Sequence, residues 1–360
     1  MRSNLDVPDR SLIGMTRNGL RDLATRYKQP SYRGDQIAHW IYRERAVSFD
    51  EMINLPGSFR SRLSEEYTLA PSPPESATES TDGTRKYLYR IDVRDGTKTE
   101  RFVEAAYIPD RNRATLCLST QVGCAMGCLF CMTAKQGLNG NLSAGQIVNQ
   151  YMSLPEKDRV TNIVYMGMGE PLDNVDSVLS SLEILTSDWG FGLSQKRITV
   201  STIGIIPGIE RFLAESKCHL AISLHSPFDE ERRRLMPVQN VYPIRDVLEI
   251  IRNSDLGKHR RISFEYIVFR GVNHSPKHVK ELARITQGIP CRINLIRFHE
   301  IPGPLRSATD DEMKTFQSTL VSKGITTTIR ASRGEDVQAA CGLLSTRRLM
   351  RSADVVDTDY

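Results

Sequence analysis

The amino-acid sequence predicts an α/β fold, a partial (β/α)6 barrel with a small helical N-terminal domain and a β-hairpin extension. From about residue 110 onward, apolar strand patterns alternate with amphipathic helix patterns, which is typical of parallel strands joined by right-handed crossovers. Six such units and a seventh strand occupy about 220 residues, whereas a closed eight-unit barrel takes about 250. We therefore expect an open barrel.

The N-terminal region shows helical patterns over residues 12–69, where Ile37 and Trp40 share one face and a short helix is expected around residues 52–55. Residues 71–84, rich in proline, serine and threonine, indicate a linker. The next two alternating segments flank an Asp-Gly turn at positions 95 and 96, which predicts a β-hairpin.

The barrel strands are predicted at residues 114–118, 162–166, 197–201, 220–224, 262–268, 292–297 and 326–330. Helices between them are predicted at residues 175–185, 244–251, 276–286 and 310–322. The expected domains are helices at 1–75, linker and hairpin at 76–109, barrel at 110–345 and a tail at 346–360. Functional side chains in barrels lie at the carboxyl ends of the strands.

Composition places the chain among globular proteins, with 39% hydrophobic and 25% charged residues. The net charge of +5 permits nucleic-acid binding but does not require it. No apolar run reaches the roughly 18 residues of a membrane span. The first ten residues are polar and lack the apolar core of a signal peptide, so we expect a cytoplasmic protein.

Cysteines are the strongest chemical signal, because four of the seven fall between positions 117 and 131. Cys124, Cys128 and Cys131 form a C-x3-C-x2-C loop directly after the first barrel strand. Three thiolates leave a tetrahedral zinc site incomplete but suit a [4Fe–4S] cluster with one open iron. The alternative is a structural zinc site completed by a distant histidine or cysteine.

This loop resembles the signature of the radical S-adenosylmethionine (SAM) superfamily, in which the open iron chelates SAM. Further motifs at residues 114–117, 166–171, 223–225, 329–334 and 339–342 resemble the RNA adenine methyltransferases of the RlmN/Cfr family. The resemblance covers nearly the whole chain and implies a radical SAM barrel. It favours the dual-specificity branch that methylates adenine C2 over the C8-methylating resistance branch, which stays open as an alternative.

The resemblance also implies a SAM site at Gly169, Glu170, Ser201, Ser223, Leu224, His225 and Asn294. Two SAM molecules are implied for each turnover. Glycine admits a close approach of the backbone, and a carboxylate can hold the ammonium group of SAM. Taken without the cysteine loop, a glycine turn after a strand is commonplace, and a single histidine is more often an ordinary barrel residue.

Two further cysteines receive roles from the resemblance: Cys341 as the methyl carrier and Cys117 as its resolving thiol. One SAM methylates Cys341, a 5′-deoxyadenosyl radical from a second SAM activates the methyl group for addition to the base, and Cys117 releases the product by forming a disulfide. Glu104 is implied as the proton acceptor, with an ordinary surface glutamate as the alternative. We expect Cys218 and Cys291 to be inert buried thiols.

The implied substrates are 23S ribosomal RNA at the peptidyl transferase centre and tRNA beside the anticodon, with an electron donor such as flavodoxin. We expect a monomer whose helical N-terminal domain binds RNA. Basic runs at residues 232–234, 258–261 and 347–348 could contact phosphates or form solvated faces. Two other functions stay open: a radical SAM enzyme acting on a protein or small molecule, and an iron–sulfur or zinc RNA-binding module.

Overall fold

A computed structural model describes residues 10–91, 100–257 and 260–345 of the chain. The Asp95-Gly96 turn, Lys258, His259 and the tail at 346–360 lie outside the described residues. Within the described ranges, no helix combines the length and the apolar character that crossing a membrane requires.

The N-terminal region is helical, as predicted, with α1 at Arg17–Arg26, α2 at Tyr32–His39 and α3 at Gly57–Glu66. A π-helical turn at Trp40–Glu44 continues α2. The short helix expected around residues 52–55 is instead a 3-10 turn at Phe49–Glu51. It lies earlier in the chain because Ser48 and Glu51 form a capping box that starts the turn there.

Twelve strands follow in the described part of the chain. The first six are β1 at Ser76–Glu79, β2 at Arg85–Ile91, β3 at Arg101–Asp110, β4 at Arg113–Cys117, β5 at Gln121–Gly123 and β6 at Leu138–Asn141. The other six are β7 at Asn162–Tyr165, β8 at Ile198–Thr202, β9 at His219–Ser223, β10 at Ile262–Val268, β11 at Cys291–Arg297 and β12 at Thr327–Ile329. The helices among them are α4 at Met132–Lys135, α5 at Ala144–Met152, α6 at Val175–Thr186, α7 at Ile206–Glu215, α8 at Asp229–Leu235, α9 at Ile244–Asn253, α10 at Pro276–Thr286 and α11 at Asp310–Ser322.

Ten of these strands form one sheet in the order β1-β2-β3-β4-β7-β8-β9-β10-β11-β12. Strands β1 to β4 pair antiparallel, and all pairings from β4 through β12 are parallel. The order has two ends, so the barrel is open, which confirms the predicted partial barrel. The predicted hairpin is the β2–β3 pair.

The described residues contain three strands (β1, β5 and β6) and four helices (α4, α5, α7 and α8) that the sequence did not predict. Strand β1 lies inside the segment that the sequence indicates as a linker, and it pairs with β2 although all four of its side chains are exposed. An exposed edge strand carries no alternation of apolar and polar residues that would reveal it. The small β5–β6 sheet beside the cysteine loop was also not predicted, because its strands are only three and four residues long.

The barrel core is formed by the strands and by the inner faces of the helices. Helix α9 buries Ile244, Val247, Leu248 and Ile251, the spacing of one helix face. A second apolar cluster joins the N-terminal helices to the barrel, because it contains Val148 and Met152 of α5 and Ile184 of α6. The contact is close: a Cβ on Gly14, whose φ is +98°, would lie 2.1 Å from the backbone nitrogen of Gly145.

Candidate active site

An open cavity lies at the carboxyl ends of the parallel strands, where the functional side chains are predicted. The three loop cysteines line it, and so does Cys341. Of the predicted SAM contacts, Gly169, Glu170, Ser201, Ser223 and His225 also line it. The fold therefore brings residues from five separate segments of the chain into one cavity.

The cysteine loop runs between β5 and α4 and is fixed by its backbone. At Gly123, with φ of +74°, a Cβ would lie 1.8 Å from the carbonyl oxygen of Gly137, so the position requires glycine. The amide of Cys124 donates to that same carbonyl at 3.0 Å, and the amide of Cys131 donates to the Cys128 carbonyl at 3.2 Å. The loop is thus shaped before any ligand binds.

The thiols of Cys124 and Cys128 are poor anions on their own. Burial raises the pKa of Cys124 to about 12 and that of Cys128 well above its usual range, and the neighbouring cysteines raise both further. Bound iron replaces the thiol protons, as metal binding to cysteine requires. In the described ranges, no three His, Cys, Asp or Glu side chains are arranged to bind a single metal ion. A [4Fe–4S] cluster makes a different demand, since each thiolate binds a different iron atom.

Glu170 is a buried carboxylate held in a fixed orientation. Its Oε1 accepts from the Leu172 amide at 3.1 Å and its Oε2 from the Ile203 amide at 2.9 Å. Burial raises its pKa to about 7, while the Thr202 hydroxyl and these amides oppose the rise. A cationic ligand in the cavity would favour the charged carboxylate.

The glycines beside Glu170 have a structural reason that the sequence did not reveal. A Cβ on Gly167 would lie 2.6 Å from the Ser119 hydroxyl, and one on Gly169, with φ of +99°, would lie 2.5 Å from the Gln121 side chain. Both positions line the cavity, but their lack of a side chain is required first by packing against residues 118–121.

His225 is buried, and its backbone is left-handed with φ of +54°. Burial lowers its pKa to about 3, so the ring is neutral at physiological pH. Its Nδ1 accepts from the Ile267 amide at 3.0 Å, which leaves the ring proton on Nε2. The ring of Phe130 from the cysteine loop packs edge-on against it, with centroids 4.8 Å apart.

Two predicted SAM contacts lie outside the cavity lining. Leu224 is fully buried, and its amide donates to the Glu265 carbonyl at 3.0 Å. Asn294 donates from Nδ2 to the Glu265 carboxylate at 2.7 Å and accepts from the Thr328 hydroxyl at 2.8 Å. Glu265 lines the cavity, so Asn294 can influence a ligand there only by orienting the Glu265 carboxylate.

Cys117 and Cys341 both line a second cavity next to the first. Cys117 is buried on β4, whereas Cys341 is exposed and lines both cavities. Burial and the neighbouring Cys341 raise the pKa of Cys117 to about 12, and Arg330 opposes that rise. Although partial burial disfavours the charge of Arg330, Cys341, Glu265 and Cys117 raise its pKa.

The segment that carries Cys341 is anchored by three hydrogen bonds. The Met132 amide donates to the Gly342 carbonyl at 2.9 Å, and the Thr133 hydroxyl donates to the Leu344 carbonyl at 2.7 Å. The Ser345 amide donates to the Glu104 carboxylate at 2.8 Å. Since Met132 and Thr133 follow Cys131 directly, the cysteine loop and the Cys341 segment are held together.

Glu104 is not a surface residue. Its side chain is 7% exposed and pairs with the Lys86 ammonium at 3.0 Å. It lies on β3, and neither cavity includes it in its lining. In this structure Glu104 holds the end of the Cys341 segment, so the surface alternative is wrong, whereas its role as a proton acceptor stays a prediction.

The basic runs are only partly solvated. Arg232 is completely buried, which excludes it from phosphate contact, whereas Arg233 and Arg234 are exposed and pair with Glu230. Arg260 is half-buried and donates to carbonyl groups at the end of α7. The predicted run at 347–348 lies outside the described residues, as do Lys258 and His259.

Sequence reasoning missed Glu265, Arg330 and Phe130, all of which line the first cavity. Glu265 had a usable signal, because it is a single carboxylate in the apolar strand β10. Arg330 follows β12 immediately, the position at which barrel strands carry functional groups. Phe130 lies between Cys128 and Cys131 in the sequence, and no local pattern indicates that its ring packs against His225.

Two family models match the chain. Residues 118–283 match the radical SAM superfamily, and residues 10–69 match the N-terminal domain of the ribosomal RNA large subunit methyltransferase. The second match covers the helical region that precedes the sheet.

Individual proteins give a closer comparison. The probable dual-specificity RNA methyltransferase RlmN of Porphyromonas gingivalis is 55% identical over 95% of this chain and 99% of its own. The dual-specificity RNA methyltransferase RlmN of Syntrophus aciditrophicus is 43% identical over 88% of this chain and 91% of its own. A crystal structure of a radical SAM methyltransferase from Sphaerobacter thermophilus superposes with a TM-score of 0.83 at 38% identity, covering 94% of this chain and 99% of that chain.

Proposed function

The chain belongs to the radical SAM RNA methyltransferases of the RlmN family, and on this premise we propose that it methylates C2 of adenine in 23S ribosomal RNA and in tRNA. The ribosomal target is the peptidyl transferase centre, and the tRNA target is the adenosine beside the anticodon. The printed names of the relatives describe dual-specificity RNA methyltransferases, and the finer assignment to C2 is our inference.

Cys124, Cys128 and Cys131 would hold a [4Fe–4S] cluster, and SAM would lie over it in the first cavity. When bound, the cluster supplies the electron that cleaves SAM to a 5′-deoxyadenosyl radical. Glu170 would bind the ammonium group of SAM, and the Leu172 and Ile203 amides support this role because they orient its two oxygens. Ser201, Ser223 and neutral His225 offer further polar contacts, with Asn294 acting through Glu265.

The observation that carries this proposal is the position of Cys341 in the wall shared by two cavities. In the first cavity its sulfur can receive a methyl group from SAM and expose that group to the radical. In the second it faces Cys117, which can attack the Cys341 sulfur once the base is attached. Before this attack the adduct must lose one electron, for which the oxidised cluster would be the acceptor. The attack then forms a disulfide and breaks the bond from sulfur to the methylene carbon, which takes up a proton and becomes the methyl group on adenine. A cellular reductant must then reduce the disulfide.

Adenine C2 must also lose its proton before release. Glu104 is the proposed acceptor, and it can act only after the Ser345 amide and Lys86 give up their contacts with its carboxylate. Movement of the Cys341 segment when RNA binds would achieve the first of these changes.

The RNA surface is proposed to include the N-terminal helices and the exposed arginines of α8. The target base must leave its stack to reach Cys341, so unpaired or flipped RNA fits best. Two SAM molecules per turnover, an electron donor such as flavodoxin and a monomeric, cytoplasmic enzyme complete the proposal.

Nucleoside mass spectrometry of ribosomal RNA and tRNA, from cells with and without the gene, tests the function. We expect 2-methyladenosine to disappear from both RNAs and to return with the wild-type gene. Cys341→Ala should not restore it, whereas Cys218→Ala, which removes a buried thiol outside both cavities, should restore it. Loss of 8-methyladenosine instead would assign the protein to the C8 branch, and unchanged RNA would contradict the proposal.

A further inference from the structure

Arg232 is a buried cation that has no part in the reaction proposed above. It lies on α8, and its side chain is completely buried behind the carboxyl ends of β8 and β9, where two of its hydrogen-bond partners, Ile203 and Ser223, line the first cavity. Its two neighbours, Arg233 and Arg234, point outward and pair with Glu230. One position in a run of three arginines is thus turned into the protein interior.

The contacts of Arg232 are all with neutral acceptors. Nη1 donates to the Gln239 side-chain oxygen at 2.6 Å, and Nη2 donates to the carbonyls of Ile203 at 2.7 Å and Ser223 at 3.2 Å. Its Nε has no hydrogen-bond partner. Over the described residues, no carboxylate pairs directly with the guanidinium, and the acidic group that favours its charge, Asp229, is connected to it through the Gln239 side chain. The protein around Arg232 therefore compensates its charge only indirectly.

A buried charge without a direct ion pair is costly, so an opposite charge close to Arg232 would stabilise it. Burial lowers the pKa of Arg232 to about 10, which still leaves it protonated at neutral pH, and Cys128 is the first group that opposes this lowering. The backbone of Ile203 connects Arg232 to Glu170, because the Ile203 amide donates to the Glu170 carboxylate and the Ile203 carbonyl accepts from the Arg232 guanidinium.

The cysteine loop lies directly beside α8. The Leu129 amide donates to the Leu235 carbonyl at 3.0 Å, and Cys128 packs in one apolar cluster with Leu235 and Met236. Cys128 and Arg232 are therefore held close by a short, rigid connection. A cluster on three thiolates carries net negative charge, and its reduction adds one more electron.

We propose that Arg232 is the built-in counter-charge of the cluster on Cys124, Cys128 and Cys131, and that it makes the cluster easier to reduce. This inference rests on the proposed function, because it needs the cluster. Arg232 touches neither SAM nor RNA in this scheme, so it is a positioning residue that acts through charge. Two of the three hydrogen bonds of Arg232 also hold the ends of β8 and β9, so the effects of shape and charge must be separated by experiment.

The test is a redox titration of the reconstituted protein, followed by electron paramagnetic resonance. In Arg232→Gln we expect the equilibrium to shift at least tenfold toward the oxidised cluster, about 59 mV for a one-electron couple. Arg232→Lys, which keeps the positive charge, should have a reduction potential close to that of the wild type. Arg233→Gln, one position along the same helix and exposed, should titrate like the wild type.

A second route changes the charge without removing the guanidinium. Gln239→Glu places a carboxylate against Nη1, so it should shift the potential in the same direction as Arg232→Gln. This variant decides the matter if Arg232→Gln does not assemble a cluster. Loss of the cluster in both variants, but not in Arg232→Lys, also supports the proposal, because the first two reduce the positive charge at this position and the third keeps it.

Wild-type potential in a fully iron-loaded Arg232→Gln or Gln239→Glu protein would overturn the inference and leave the proposed function standing. Loss of the cluster from Arg232→Lys as well would assign Arg232 to shape alone and also overturn it. A wild-type protein that binds no cluster would contradict the proposed function itself, and this inference with it.

Discussion

Cys117 and Cys341 line the same cavity, and each lies within electrostatic reach of the other and of Arg330. The sheet explains the meeting, because β4 carries Cys117 and the Cys341 segment docks on α4, just after the cysteine loop. One thiol is buried and the other exposed, which suits a resolving residue and a carrier that must reach RNA.

The first prediction concerns product release. Cys117→Ala should still methylate Cys341 and add it to the base, but it should accumulate enzyme joined covalently to RNA. A denaturing gel after nuclease digestion measures the adduct, and Cys218→Ala serves as the matched buried-thiol control. Normal turnover in Cys117→Ala would remove this residue from the reaction, and an adduct that persists in a Cys117/Cys341 double variant would point to another attachment site.

The second prediction concerns the pH dependence of release. Because the pKa of Cys117 is about 12, only a small fraction is thiolate at neutral pH, and that fraction grows tenfold for each pH unit. Adduct resolution should therefore accelerate between about pH 7 and pH 9. Arg330→Met should slow it at every pH, since Arg330 lowers the Cys117 pKa, and Arg330→Lys should be intermediate. Quenched time courses measure the rates; identical profiles in all three proteins would contradict this account.

The third prediction concerns SAM binding by Glu170. Its pKa of about 7 means that the carboxyl group takes up a proton as pH falls below neutrality, and the neutral form cannot pair with an ammonium group. SAM affinity of the cluster-loaded enzyme should fall as pH drops from about 8 to about 6, by up to tenfold per unit in the lower part. Glu170→Gln should bind SAM weakly and without this dependence. Calorimetry at a series of pH values between about 6 and 8 measures the SAM affinity. A wild-type affinity that does not change with pH would contradict the role of Glu170 in SAM binding.

The fourth prediction concerns the anchor of the Cys341 segment. Glu104→Ala removes the acceptor of the Ser345 amide and leaves Lys86 without its carboxylate, at a cost of about 1–3 kcal/mol in the free energy of unfolding. Residues 341–345 should also be cleaved faster by protease. Lys86→Met in an otherwise wild-type chain separates the two effects, because it keeps the Ser345 contact. Equal protease resistance in Glu104→Ala and the wild type would rule out the anchor.

The fifth prediction concerns the N-terminal region. Deleting residues 1–75 uncovers Val148, Met152 and Ile184, so it should weaken the barrel as well as RNA binding. Three buried apolar side chains at about 1.5–3 kcal/mol each give a loss of several kcal/mol. Urea unfolding of the iron-free protein measures it, with Val148→Ala in the full chain as a smaller change in the same direction. A deletion as stable as the full chain would show that the shared cluster contributes little.

The sequence predicted most of the barrel because each strand is an apolar run and each helix a periodic one. The helices at Pro276–Thr286 and Asp310–Ser322 have the predicted bounds, since serine at 275 and threonine at 309 cap them. The cysteine loop was identified from its C-x3-C-x2-C spacing, and the binding of a [4Fe–4S] cluster by its three thiols stays a prediction.

The rest depends on tertiary contacts that no local pattern records. Arg232 reads as one of three surface arginines, and only the packing of α8 against β8 and β9 turns it inward. Glu104 reads as a strand glutamate, and its partners come from β2 and from the distant Cys341 segment. The glycines at 167 and 169 read as ligand contacts, although residues 118–121 already forbid a side chain there.

The shared core between the N-terminal helices and α5 and α6 has a consequence for how a substrate is chosen. With Gly14 seated on Gly145 and Val148 enclosed by both parts, the helices cannot swing independently of the barrel. An RNA held by those helices therefore meets Cys341 at one distance and one angle. The protein would then select an adenine by its position relative to the part of the RNA that the helices bind. Two RNAs of unrelated sequence could both be substrates if each presents an adenine at that position.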